Sequence, residues 1–175
     1  MTTYSVDKAH SEVGFSVRHM VFAKVHGQFK DWESKLTFDA ADPSKSSVEV
    51  EVAVGSIDTR EEKRDGHLRS ADFFDAQKFP KMTFKSKRIE AADKGKFKVI
   101  GDLALHGETH EVSLDVEETG RGKDPWGNER VGFSAKGSIS RAGWGLKYNQ
   151  ALEAGGLLIS DKVEIEVEAQ VVTGK

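Results

Sequence analysis

VEIEVEAQV, residues 163–171, is the stretch whose reading decides the fold. Val163, Ile165, Val167, Ala169 and Val171 fall on one face and Glu164, Glu166, Glu168 and Gln170 on the other. This period of two belongs to a strand with one dry and one wet side. The segment carries no proline and no inward-pointing lysine to protect an unpaired edge, so it demands a partner on each side. A sheet that closes on itself supplies both, with a strand near the N-terminus as the natural partner.

The same alternation extends outward through the chain. Val131, Phe133, Ala135, Gly137 and Ile139 share a face over residues 131–139. Phe97, Val99, Gly101, Leu103 and Leu105 run into a tight loop at Gly107, and Val112, Leu114 and Val116 run back, which predicts a hairpin. Residues 81–91 place Met82 and Phe84 together, and 48–54 set four valines against Glu49, Glu51 and Ala53. An extended run over 23–38 carries Val25, Gly27 and Phe29, breaks at 30–33 and resumes with Leu36 and Phe38. Gly27 there suggests a bend or bulge. Val13, Phe15, Val17 and His19 share a face over 13–19. Turns are predicted at 42–44 and 92–95, a longer loop at 120–127, and a glycine- and aromatic-rich loop with one short helical turn at 141–158. Eight or nine short-linked strands predict an all-β fold, a single antiparallel β-barrel of about eight strands. The small residues Gly101, Ala135, Gly137 and Ala169 among larger inward ones are open to two readings: they leave a tunnel, or they sit at barrel bends.

One long stretch interrupts the alternation: residues 59–80, TREEKRDGHLRSADFFDAQKFP. Thr59 and Glu62 have the spacing of a capping box and predict a helix start. Gly66 and Pro80 limit the helix to one or two short turns. Leu68, Phe73, Phe74 and Phe79 need an apolar surface, so the stretch is expected to form a short helical cap over the barrel, around residues 60–74.

With 175 residues and no linker-like segment, the chain is expected to form one domain over 1–175. A net charge of −3 and a pI near 6.1 argue against a nucleic-acid footprint. The absence of cysteine removes disulfides, thiolate nucleophiles and thiolate metal sites. No apolar run approaches the ~20 residues of a membrane span, and the first residues lack an export signal. No phosphate loop or dinucleotide fingerprint is present, and no cofactor is expected.

The six histidines are His10, His19, His26, His67, His106 and His110. His106 and His110 flank a predicted turn, so helical ligand geometry does not apply and no metal site is expected. His10 and Ser11 would point to opposite faces of a strand, which argues against a nucleophile and base pair. His19 reads as a core histidine or a headgroup contact. Arg64, His67 and Arg69 in the cap are placed to meet an anionic headgroup, or are held by Glu61, Glu62 and Asp65 as a solvated face. Arg141, Trp144 and Tyr148 are candidates to close a barrel end, with the core-plug reading of Trp144 favoured over that role.

Several motifs resemble the YceI family: Asp7-Lys8-Ala9-His10-Ser11 with Phe15 and His19; residues 65–75, DGHLRSADFFD; Phe79-Pro80 with Thr83-Phe84; Gly101-Asp102-Leu103 with Leu105-His106-Gly107; and Ser140-Arg141 with Trp144-Gly145. They cover almost the whole chain in order, and HLRSADFFD is the most specific of them. The resemblance implies a lipocalin-like barrel whose apolar pore binds polyisoprenoid or similar long-chain lipids, often as a homodimer, with no known catalysis. Well-known members carry a leader; here the first motif begins at residue 7, so a cytoplasmic member is expected.

The inward faces then give the expected pore lining: Phe15, Val17, His19, Phe29, Phe38, Val50, Val52, Phe84, Leu103, Leu105, Leu114, Phe133, Ile139 and Trp144, with Leu68, Phe73 and Phe74 from the cap. Arg64, His67, Arg69 and Arg141 are the headgroup candidates. Burying about 20 carbons at ~0.8 kcal/mol each gives a gross gain on the order of 15 kcal/mol before the costs of association. A tilted strand of about ten residues rises only about 25–28 Å along the barrel axis, so a very long polyprenyl chain must fold back or protrude. Two other readings fit the same residues: an enzyme acting on a prenyl or acyl lipid with His19 or His67 as general base, and a stress-related interaction domain with a filled barrel.

Overall fold

The computed structural model describes residues 2–20, 23–39, 41–149 and 159–173. Among them, eleven strands form one antiparallel sheet: β1 (Thr2–Val6), β2 (Glu12–His19), β3 (Ala23–Phe29), β4 (Trp32–Phe38), β5 (Ser47–Ala53), β6 (Ile57–Asp58), β7 (Lys81–Ala91), β8 (Lys96–Leu105), β9 (Glu108–Lys123), β10 (Glu129–Ser140) and β11 (Lys162–Thr173). One helix, α1 (Glu62–Arg69), lies between β6 and β7. No helix among the described residues is long and apolar enough to cross a membrane.

Eight strands close the barrel in the order β1, β4, β5, β7, β8, β9, β10, β11 and back to β1. β11 makes the closure. One edge pairs with β10 from Arg130↔Val172 to Ser140↔Lys162. The other edge is divided: Val171–Thr173 pair with β1, and Glu164–Glu168 pair with β2. The wall therefore continues at that end through β2, β3 and β6 rather than through β1 and β4. The demand of residues 163–171 for two partners is met by two N-terminal strands, one of which, β1, the alternation does not reveal. Five residues with only Tyr4 and Val6 facing inward are too few to show a period.

Three local expectations are corrected. Thr59 is not the helix cap: Glu61 accepts the backbone N–H of Arg64, while the backbone N–H and hydroxyl of Thr59 donate to buried Asp65 at 2.9 and 2.5 Å. The helix passes through Gly66 and ends at Arg69. Gly27 is no bulge, since the β2–β3 register runs unbroken from Val13↔Phe29 to His19↔Ala23. The first half of the loop predicted at 120–127 is strand. β9 reaches Lys123, and the turn is held by the Asp124 carboxylate, which accepts from the backbone N–H groups of Trp126 and Asn128 and from Arg130 Nε, each at 2.9 Å. Glycines at 120 and 122 give the segment a loop-like composition, but pairing with β10 supplies its hydrogen bonds. At 141–158, a single 3-10 turn spans Arg141–Trp144, and residues 150–158 lie outside the described residues.

The interior has two unlike halves. Near the β1 end, Tyr4, Phe38, Val131 and Val171 are buried, with Phe97 and Phe133 packed on them. The Phe38 ring sits edge-on to both Phe97 and Phe133 at 5.7 Å, a favourable aromatic arrangement that leaves this end solid. The half beneath α1 is hollow.

Candidate functional site

The hollow half is a cavity of about 550 Å³, within the range of roughly 300–1,000 Å³ usual for small-molecule pockets. Its walls are the alternate residues of eight strands: Val13, Phe15, Val17 and His19 from β2, Val25 and Phe29 from β3, Val50 and Val52 from β5, Met82 and Phe84 from β7, Leu103 and Leu105 from β8, Val112 and Leu114 from β9, Ile139 from β10, and Val163, Ile165 and Val167 from β11. Each contributes because the period of two turns every second residue inward. The stretch that closes the barrel thus also supplies one wall of its cavity.

The cap forms the roof. Leu68 packs into the cluster of Phe29, Trp32, Val52 and Ile57. Phe74 sets its ring edge-on to Phe29 at 5.9 Å, and Phe29 in turn lies 5.6 Å from Phe15. Phe73 is buried between His67 and Tyr148, at 5.0 Å from each. Past α1 the chain curls so that Phe74 N–H donates to the Leu68 carbonyl at 3.0 Å, bringing both aromatics of the Phe73-Phe74 pair under the helix.

Polar groups gather at the mouth. Lys63, Arg64, His67, Arg141, Tyr148, Thr59 and His19 all line the cavity there or nearby, and no carboxylate does so among the described residues. In a chain of net charge −3, this is a local reversal of sign. Arg64 is steadied by Nε donating to the Thr59 hydroxyl and Nη2 to the Thr59 carbonyl, both at 2.7 Å. His67 Nε2 pairs with the Asp72 carboxylate at 2.8 Å.

Arg141 is the most unusual of the set, only 5% exposed. Its guanidinium donates to three backbone carbonyls, those of Leu146 at 2.6 Å, Ser160 at 2.9 Å and Ile159 at 3.4 Å. It also stands 6.0 Å from the Phe73 ring, at the limit of a cation–π contact. Burial draws its pKa down and the charge of Asp161 opposes this only in part; that carboxylate also accepts from the Ser140 hydroxyl and the Ala142 N–H. Arginine remains protonated under such a shift, so a positive charge sits in the cavity wall, hydrogen-bonded to three backbone carbonyls and only partly balanced by Asp161.

Four of the expected site residues lie elsewhere. Phe38 and Phe133 belong to the aromatic filling of the far end, beyond the cavity floor. Trp144 is a core plug: it is buried among Leu103, Leu105, Val112 and Leu146, and its indole N–H donates to the Leu103 carbonyl at 3.0 Å. Arg69, in the last turn of α1, reaches back to Glu62 at 3.1 Å on the solvent side. The remaining expected lining and headgroup residues do border the cavity. Lys63, absent from the expected set, lines the cavity where Arg69 does not, and Val13, Val25, Met82, Val112, Val163, Ile165 and Val167 complete walls whose alternation marks them as inward. Leu146 and Ile159 come from segments with no such period. The histidines at 106 and 110 serve the plug: His106 Nδ1 bonds the Trp144 carbonyl at 2.9 Å, and His110 packs edge-on to the Trp144 ring.

A profile described as YceI-like domain matches residues 4–171. A protein of Staphylococcus epidermidis named UPF0312 is 39% identical over 171 residues, covering 97% of each chain. The crystal structure of a Campylobacter jejuni YceI protein superposes with a TM-score of 0.79 at 33% identity, covering all of both chains. A polyisoprenoid-binding domain from Saccharophagus degradans, implicated in plant cell wall breakdown, shares the fold with a TM-score of 0.69 at 16% identity, over 99% of this chain and 100% of that one. With a closed eight-stranded barrel, a capped cavity and these relatives, the chain belongs to the family of YceI-like domains.

Proposed function

We propose that the protein binds and carries a long-chain amphiphile, an isoprenoid or fatty lipid, with its tail in the capped cavity and its polar end at the basic mouth. The observation that carries this reading is a hollow apolar compartment whose only charged lining groups, among the described residues, are cationic. At ~30 Å³ per water-sized group, a cavity of about 550 Å³ encloses about 18 methylene-sized groups. Burying them at ~0.8 kcal/mol each yields a gross gain of about 14 kcal/mol, enough to exceed a typical association cost without many polar contacts. The likeness to a domain named for polyisoprenoid binding supports the same ligand class. The solid end formed by Tyr4, Phe38 and Phe133 means that a longer chain folds back or leaves through the mouth rather than threading the barrel.

Native mass spectrometry of the purified protein tests this reading. A co-purified hydrophobic mass, lost on organic extraction and regained on adding prenyl or acyl chains, is expected. A ligand-free protein that takes up neither overturns it. The His67–Asp72 pair at the mouth favours one alternative, an enzyme using His67 as general base on a prenyl diphosphate. It requires turnover by the unmodified protein that is abolished in His67→Ala with binding intact, and absence of any turnover rejects it.

A further inference from the structure

Three glycines on inward faces leave room for a large side chain from a neighbouring strand. A Cβ built on Gly27 would lie 2.4 Å from the Phe15 ring tip, one on Gly101 would lie 2.7 Å from Phe84, and one on Gly137 would lie 2.7 Å from Leu114. Phe15, Phe84 and Leu114 all line the cavity. In each case a bulky group occupies the space over bare backbone where a side chain would otherwise stand, because the glycine has no Cβ to prevent it.

Taking the cavity as the lipid site, we propose that Gly27, Gly101 and Gly137 set its bore, and hence the length of chain it accepts, by recessing Phe15, Phe84 and Leu114 into the wall. Gly27 is the clearest case. Its strand register with β2 is regular, Phe15 being its direct partner, and the three atoms nearest the built Cβ all belong to the Phe15 ring. At Gly101 the Lys85 carbonyl oxygen also stands 2.5 Å from the built Cβ, so a side chain there would disturb the sheet as well as the bore. Phe29 flanks the Phe15 ring at 5.6 Å and the cavity borders its inner side, so a Cβ at position 27 is expected to displace the ring into the bore.

The experiment compares the unmodified protein with Gly27→Ala and with Gly27→Ala/Phe15→Ala, measuring affinity for saturated fatty acids from laurate to behenate. A displaced ring that excludes two methylenes costs about 15-fold in affinity, at ~4-fold each. The expected result is that Gly27→Ala loses at least about 15-fold for the longest acids and little for laurate, and that removing the ring in the double variant restores the longer chains. An unchanged chain-length profile in folded Gly27→Ala overturns the proposal. Gly137→Ala with and without Leu114→Ala gives the same comparison if Gly27→Ala does not fold. A crystal structure of the single variant reads the recess without any ligand: a Phe15 ring swung into the cavity supports it, and an unmoved ring refutes it. If the unmodified protein takes up none of the acids, the fatty-acid form of the lipid reading fails, while the ring position still decides whether glycine shapes the bore.

Discussion

Substituting Asp65 by alanine should loosen the cap while leaving the barrel intact. Asp65 is buried at 5% exposure, on the face of α1 turned towards Thr59, and Thr59 is equally buried. One carboxylate oxygen accepts both the backbone N–H and the hydroxyl of Thr59. Hydrogen bonds to a charged acceptor are worth about 1.5–3 kcal/mol each, and stranding a buried donor adds to the loss. Arg64 keeps its own two bonds to Thr59, and Leu68, Phe73 and Phe74 keep their contacts, so a loss of about 3 kcal/mol is expected rather than the full sum. That raises the opening constant of the cap about 100-fold, at 1.4 kcal/mol per decade. Amide hydrogen exchange read by mass spectrometry should therefore show residues 62–74 exchanging about 100-fold faster, with β8 and β9 unchanged. Asp65→Asn, which keeps an acceptor but loses the charge, should fall between the two. Unaltered exchange over 62–74 would refute the anchoring role. Equal loss of protection in β8 and β9 would mean that Asp65 supports the barrel, not the cap.

Replacing Phe73 and Phe74 together by alanine should weaken lipid retention, read as the off-rate of a bound fatty acid, more than Arg64→Ala does, with Arg69→Ala silent because its partner Glu62 faces solvent; the reverse order would mean that the mouth recognises headgroups before the cap seals the tail. Arg141→Gln should lower the affinity for palmitate relative to hexadecanol by about 10- to 100-fold, the worth of one charged hydrogen bond of 1.5–3 kcal/mol, and an unchanged ratio in competition binding would remove Arg141 from headgroup recognition. Acid stability should depend on Asp7. Hydrogen bonds from His10 and then Arg130, outweighing slight desolvation, hold its carboxyl below the usual range. The stability it contributes is thus present above an unfolded value of about 3.9 and lost as pH falls through the folded one. Urea midpoints of Asp7→Asn should fall less steeply below about pH 4 than those of the unmodified protein, and parallel curves would contradict this.

How much was legible in the sequence depended on how far period alone could speak. Residues 163–171 carried the closure of the barrel, and the same alternation placed Val17, Val50, Leu105 and Ile139 on the cavity wall. It could not tell the two ends of that wall apart. Phe38 and Phe133 share the inward face with lining residues, and only their meeting with Phe97 and Tyr4 across the barrel shows that this end is filled. β1 was missed because five residues show no period. The exchange of Arg69 for Lys63 at the mouth follows from the rotation of α1, which an eight-residue helix with no apolar stripe does not announce. Gly27 misled in an instructive way: glycine in a strand signals either a bulge or a close approach, and here the approaching group is a phenyl ring.

The central claim, that the hollow half of the barrel holds a lipid tail, is tested most directly by a crystal structure of the protein loaded with a single fatty acid. The chain should run beneath α1 between Phe15, Leu103 and Ile165, stop short of Phe38 and Phe133, and place its carboxylate beside Arg64 and Arg141. A cavity collapsed or empty with the acid bound on the outer surface, or a chain passing through the aromatic end, would contradict it.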